Sequence, residues 1–88
     1  MKESASLEET AKKLEIELQG PDIRQINRQD LAQEKLTEWY SNQRVNLGLA
    51  YITGKDKKIT RKTIDAISEK VDSKYAEFTA YISTRFGK

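Results

Sequence analysis

The sequence contains no cysteine and no histidine. The first absence removes disulfides, thiolate nucleophiles and cysteine-based metal sites. Together the two remove most zinc chemistry, every serine–histidine or cysteine–histidine pair, and the commonest acid–base group near neutral pH. An enzyme built from this chain would have to work with carboxylates, lysine, arginine and tyrosine alone. A non-enzymatic role, with no cofactor, metal or small-molecule substrate, is therefore expected. Proline occurs once and glycine four times, too few for a turn-rich β protein and in keeping with long helices. No apolar run approaches the roughly eighteen residues of a membrane span. Glu3, Glu8 and Glu9 interrupt what a signal peptide would need as an apolar stretch. The expected address is the cytoplasm, away from membranes. Apolar residues are themselves scarce, 36% of the 88 positions against 34% charged. One small domain of this composition has little apolar surface to bury alone, which favours an elongated helical object completed by a partner chain.

What is present is helical periodicity. Ile64, Ile67, Val71, Tyr75, Phe78 and Ile82 advance by steps of three and four and share one side of an α-helix. Thr60 is a good N-cap, Ile59 and Ile64 stand as a hydrophobic staple, and Gly87 suits the stop. A helix over 60–86 follows. A second stripe, Ala32, Leu36, Trp39, Gln43, Leu47 and Ala50, predicts a helix over 28–53, opened by an Asn27 cap with Asp30 behind it and closed by Gly54. In antiparallel order Ala50 meets Ile64, Gln43 meets Val71 and Ala32 meets Ile82. That register needs a short loop near Lys57, where Gly54 and Thr60 independently put it. Ahead of the hairpin, Ser6 and Glu9 form a capping box for a helix over 7–19, with residues 1–5 frayed and Gly20-Pro21 as the stop. Leu7, Ala11, Leu14 and Leu18 are its stripe. Ile23 and Ile26 lie in a connector and are expected to tuck against the bundle.

The expected fold is all-α: three helices dominated by a long antiparallel hairpin, completed by self-association into a helical bundle. An α+β alternative stays open, because Leu14–Leu18 and Val45–Tyr51 also alternate as strands would.

Several features bear on function. Val45, Leu49 and Ile52 form a second apolar stripe, so the last two turns of the middle helix are apolar nearly all round. Ala76 and Ala80 belong to a row of small residues where another helix could approach. Tyr40 and Tyr81 fall just off the core stripes. These seven positions are the candidate partner-binding residues for a second copy or another protein. Lys55, Lys57, Lys58, Arg61 and Lys62 are the candidate anion or nucleic-acid contacts; the competing reading is a solvated loop. Net charge runs from −2 over residues 1–20 to +4 over 54–88, so the two ends can attract each other within or between chains. Trp39, Tyr40, Tyr75, Phe78 and Tyr81 read as the wide end of the core rather than a ligand pocket. Asp65, Glu69 and Asp72 read as a solvated face rather than a cation site. Gln43 is either a buried polar residue that fixes register or a seam-edge residue reaching water, and in the buried case Gln43→Leu is expected to raise thermal stability. Gly48 lacks any phosphate-loop context and marks close helix packing or a helix defect. The function expected is a protein–protein interaction module (adaptor, assembly factor, chaperone or inhibitor) acting as a helical oligomer. The alternative is a small nucleic-acid-binding or regulatory protein working through Lys55–Lys62.

Overall fold

The computed structural model describes residues 2–54 and 58–87, with side chains from Leu7 onward. It is all-α, with no strand among the described residues. The elements are α1 (Lys2–Lys13), α2 (Gln29–Thr53) and α3 (Arg61–Phe86). α2 and α3 form the antiparallel hairpin, and α1 packs against α3. The molecule measures 46 × 27 × 17 Å, the long axis following the 25- and 26-residue helices.

Both long stripes are the core. Ala32, Leu36, Trp39, Gln43, Leu47 and Ala50 are the buried residues of α2, and Ile64, Ile67, Val71, Phe78 and Ile82 those of α3. Tyr75, also on the stripe, is half-buried. The register agrees with the sequence reading. Tyr40 meets Asp72 and Tyr75, Arg44 meets Ser68, and Tyr51 meets Asp65, each within two residues of where Ala50 opposite Ile64 would put it. The Thr60 hydroxyl accepts from the Thr63 amide at 3.2 Å, so the cap of α3 forms as expected. Val45–Tyr51 lies inside α2, which removes the strand alternative there.

The first helix differs from expectation at both ends. It is helical from Lys2, ahead of the start expected at Leu7, with the Ser6 backbone inside the helix; Met1 and the side chains of residues 1–6, on which the frayed lead and the capping box rest, lie outside what is described. It stops at Lys13 instead of near residue 19. The stop is a Schellman motif built without glycine. Glu15 takes φ +60°, its N–H reaches Lys12 O at 2.9 Å, and the Ile16 N–H reaches Ala11 O at 2.8 Å. Ala11 and Ile16, the apolar pair that accompanies this motif, are both buried. A left-handed glutamate costs about 1 kcal/mol or more relative to glycine. The buried Ile16 offsets that by a comparable gain.

Residues 14–18 are therefore neither helix nor strand. Their alternation survives as burial: Leu14 and Ile16 are inside, Glu15 and Glu17 outside. Their backbone groups bond to side chains of α2 in place of a ladder. Asn46 donates to Glu15 O at 2.7 Å, the Trp39 indole donates to Glu17 O at 3.1 Å, and the Gln43 carboxamide oxygen accepts from the Glu17 amide at 2.8 Å. Gly20, expected to end α1, serves a turn further on at φ +86°. A Cβ there would drive into the Phe78 ring, so both the conformation and the close approach require glycine. Ile23 is fully buried and Ile26 half-buried, as the connector reading required. Asn27 does not cap α2. Arg28 takes the N-cap position without a side-chain capping bond, while the Asn27 carboxamide is engaged by Arg85 at 3.0 Å. Arg85 also donates to Arg24 O at 2.5 Å and to the Tyr81 hydroxyl at 2.9 Å, fastening the connector to the end of α3.

Candidate partner-binding surface

The α1 end and the connector leave the outer side of α2 bare. With 3.6 residues per turn, Val45, Leu49 and Ile52 lie on the side of α2 turned away from the α3 seam. They are 59%, 54% and 71% exposed, the most open large apolar side chains described. Gly48 sits among them, and a Cβ added there would meet nothing within 4 Å. Leu31, at 41% exposure, stands on the same side about four turns earlier, separated from the row by Glu34 and Glu38. Exposed apolar side chains scattered singly are normal, but Val45, Leu49 and Ile52 stand together on adjacent turns of one helix side.

Beside this row, between α2 and the connector, runs an open groove of about 480 Å³. Its walls include Glu15, Glu17, Lys35, Glu38 and Asn42, with Trp39 and Val45 adding apolar surface. The acidic side chains here belong to a solvated rim, and no group of three or more metal-ligating side chains stands together among the described residues.

Of the seven expected contact residues, the structure brings together only Val45, Leu49 and Ile52. Ala76 and Ala80 are exposed, but on the outer side of α3, so they form the opposite edge of the hairpin. Tyr40 and Tyr81 are half-buried and engaged within the chain. Tyr40 stacks on Tyr75 with ring centroids 4.3 Å apart and donates to Asp72 at 2.9 Å. Tyr81 meets Phe78 edge-on and accepts from Arg85. Among the candidate anion contacts, Lys58, Arg61 and Lys62 are exposed. Arg61 lies over the Tyr51 ring at 5.7 Å. Lys55 and Lys57 lie outside the described residues.

The remaining flank of the hairpin carries a polar ladder that sequence reading missed. Tyr51 donates to Asp65, Tyr40 donates to Asp72, and Arg44 bridges Ser68 at 3.3 Å and Asp72 at 3.9 Å. Asp65 and Asp72, read from the sequence as part of a solvated face, thus accept from cross-hairpin tyrosines. The hydrogen bond to a carboxylate is the main reason the Tyr40 and Tyr51 phenols titrate above 10.0, with partial burial adding to it. Asp30 shifts downward through its bond to Arg28. The signal was available: Arg44 and Tyr51 stand seven apart on α2, as do Asp65 and Asp72 on α3.

Trp39 and Phe78 are buried in the core, and Tyr40, Tyr75 and Tyr81 pack partly buried against it. No family model, no curated protein and no solved structure matches this chain. No helix among the described residues is long and apolar enough to cross a membrane.

Proposed function

We propose that this chain is a non-catalytic protein–protein interaction module of the cytoplasm that works as a self-associated helical assembly, docking through the outer side of α2. The observation that supports it is the row of Val45, Leu49 and Ile52, exposed on a helix whose opposite side is already satisfied by α3. A helix apolar on two sides is stable in water when both sides are covered. The absence of histidine and cysteine from the sequence favours binding over turnover, and the displaced pKa values sit on surface hydrogen-bonded pairs rather than in a cleft.

The strength follows from the exposure. Covering three side chains that are roughly half exposed gains on the order of 1 kcal/mol each, about 6 kcal/mol for a symmetric pair. Loss of translational and rotational freedom opposes this by a similar amount. Because the two nearly cancel, the assembly is weak and concentration-dependent, forming only toward millimolar protein. Sedimentation equilibrium up to that concentration tests it. Wild-type protein should show a rising average mass, and Leu49→Glu with Ile52→Glu should abolish the rise while leaving the circular dichroism unchanged. A monomer throughout would overturn the reading. If that monomer binds a labelled oligonucleotide at low salt and loses it on replacing Lys58, Arg61 and Lys62, the basic end is the functional surface instead.

A further inference from the structure

We propose that two copies of this chain pair antiparallel through α2, with the helices crossing at Gly48. The inference rests on the reading above that a second copy covers the outer side of α2, and adds the geometry. Val45, Gly48, Leu49 and Ile52 advance by three, one and three, so three apolar knobs surround one gap. Glycine weakens a helix interior, and nothing in this chain requires it, since the space beyond its Cα is open. Close approach of another backbone gives that glycine a purpose. A two-fold axis between Gly48 and Leu49 sets Val45 of one copy against Ile52 of the other and lets each row fill the other's gap, a self-complementary contact of the kind symmetric dimers use.

Charge selects the direction. On the same outer side, the turns before the row carry Glu34 and Glu38, both exposed. Beyond the row, the hairpin tip carries exposed Lys58 and Arg61. Lys35, between the two glutamates, lines the connector groove together with Glu38, Glu15 and Glu17, so this end stays acidic on balance. An antiparallel pair sets the acidic turns of each copy toward the basic tip of the other. A parallel pair would place like charges together, which opposes association.

A chain without cysteine makes the test direct. Single variants V45C, I52C and an equimolar mixture of the two are oxidised under conditions where wild type associates. The mixture should form a disulfide-linked dimer in high yield and each variant alone little, because self-pairing at 45 or 52 exceeds disulfide reach across this crossing. Gly48→Leu, which meets open space in the monomer, should keep or raise its helicity and melting temperature while association weakens at least tenfold. Crosslinking of V45C or I52C alone as efficiently as the mixture, or unchanged association of Gly48→Leu, would overturn the antiparallel crossing. If Leu49→Glu still dissociates that dimer, the docking surface itself stands. Wild type that never associates would sink both readings together.

Discussion

Gln43→Leu puts the packing argument at most risk, because a rule of thumb and the structure give opposite signs. A polar residue in a helix seam is ordinarily improved by an apolar one, and burial of leucine here would gain about 1–2 kcal/mol. But Gln43, 5% exposed, uses both ends of its amide. Its oxygen accepts the Glu17 N–H at 2.8 Å, and its nitrogen donates to Trp39 O at 3.1 Å. Trp39 O already serves the α2 ladder, so its loss is worth only about 0.5 kcal/mol. The Glu17 N–H has no helix or strand to fall back on, and orphaning it costs about 1–3 kcal/mol. The balance is a net destabilisation of about 1 kcal/mol, or roughly 4–8 °C in a domain of this size. Thermal melts followed by circular dichroism give the sign, and hydrogen exchange at the Glu17 amide gives the cause. That amide should lose its protection in Gln43→Leu while amides in the centre of α3 keep theirs. A higher melting temperature with unchanged protection at Glu17 would refute the reasoning and restore the simple seam rule.

Other changes probe the connector and the ladder. Glu15→Gly relieves a left-handed residue at φ +60° and should stabilise by about 0.5–1 kcal/mol after the entropy of a new glycine is subtracted; denaturant midpoints check it. Gly20→Ala combines a positive φ with a Cβ driven into Phe78, so a loss of about 2–4 kcal/mol is expected by urea unfolding, partly recovered by adding Phe78→Leu. The Tyr51 phenol should titrate above 10.0 in ultraviolet absorbance and return toward that value in Asp65→Asn. Since its folded pKa is raised, the stabilisation it brings is complete below about 10 and fades as pH climbs through the folded value; an unchanged titration in Asp65→Asn would contradict the assigned partner.

The hairpin was legible because two long stripes of 3.6-residue periodicity agree with a loop that Gly54 and Thr60 mark independently. That Val45, Leu49 and Ile52 form a second stripe away from the seam was legible for the same reason; that the first helix leaves it exposed was not. The first third of the chain was not. Its helix stop is encoded by a left-handed glutamate where glycine is the usual sign, and Gly20 offered a plausible stop in the wrong place. The connector's bonds come from Trp39, Gln43 and Asn46, 22 to 31 residues further along, and no local pattern announces such partners. Tyr40 and Tyr81 looked available because they leave the stripes. Asp72 and Arg85, which occupy them, become visible only once the helices are packed.

The central claim is that a second copy covers the outer side of α2, and molar mass in solution tests it most directly. Light scattering on a sizing column, at several loading concentrations and at low and high salt, should show a mass rising from the 10.1 kDa of one chain toward twice that value. High salt should weaken the association only in part, because apolar burial carries most of it and the glutamate–lysine rims the rest. A mass fixed at one chain under every condition would contradict the account.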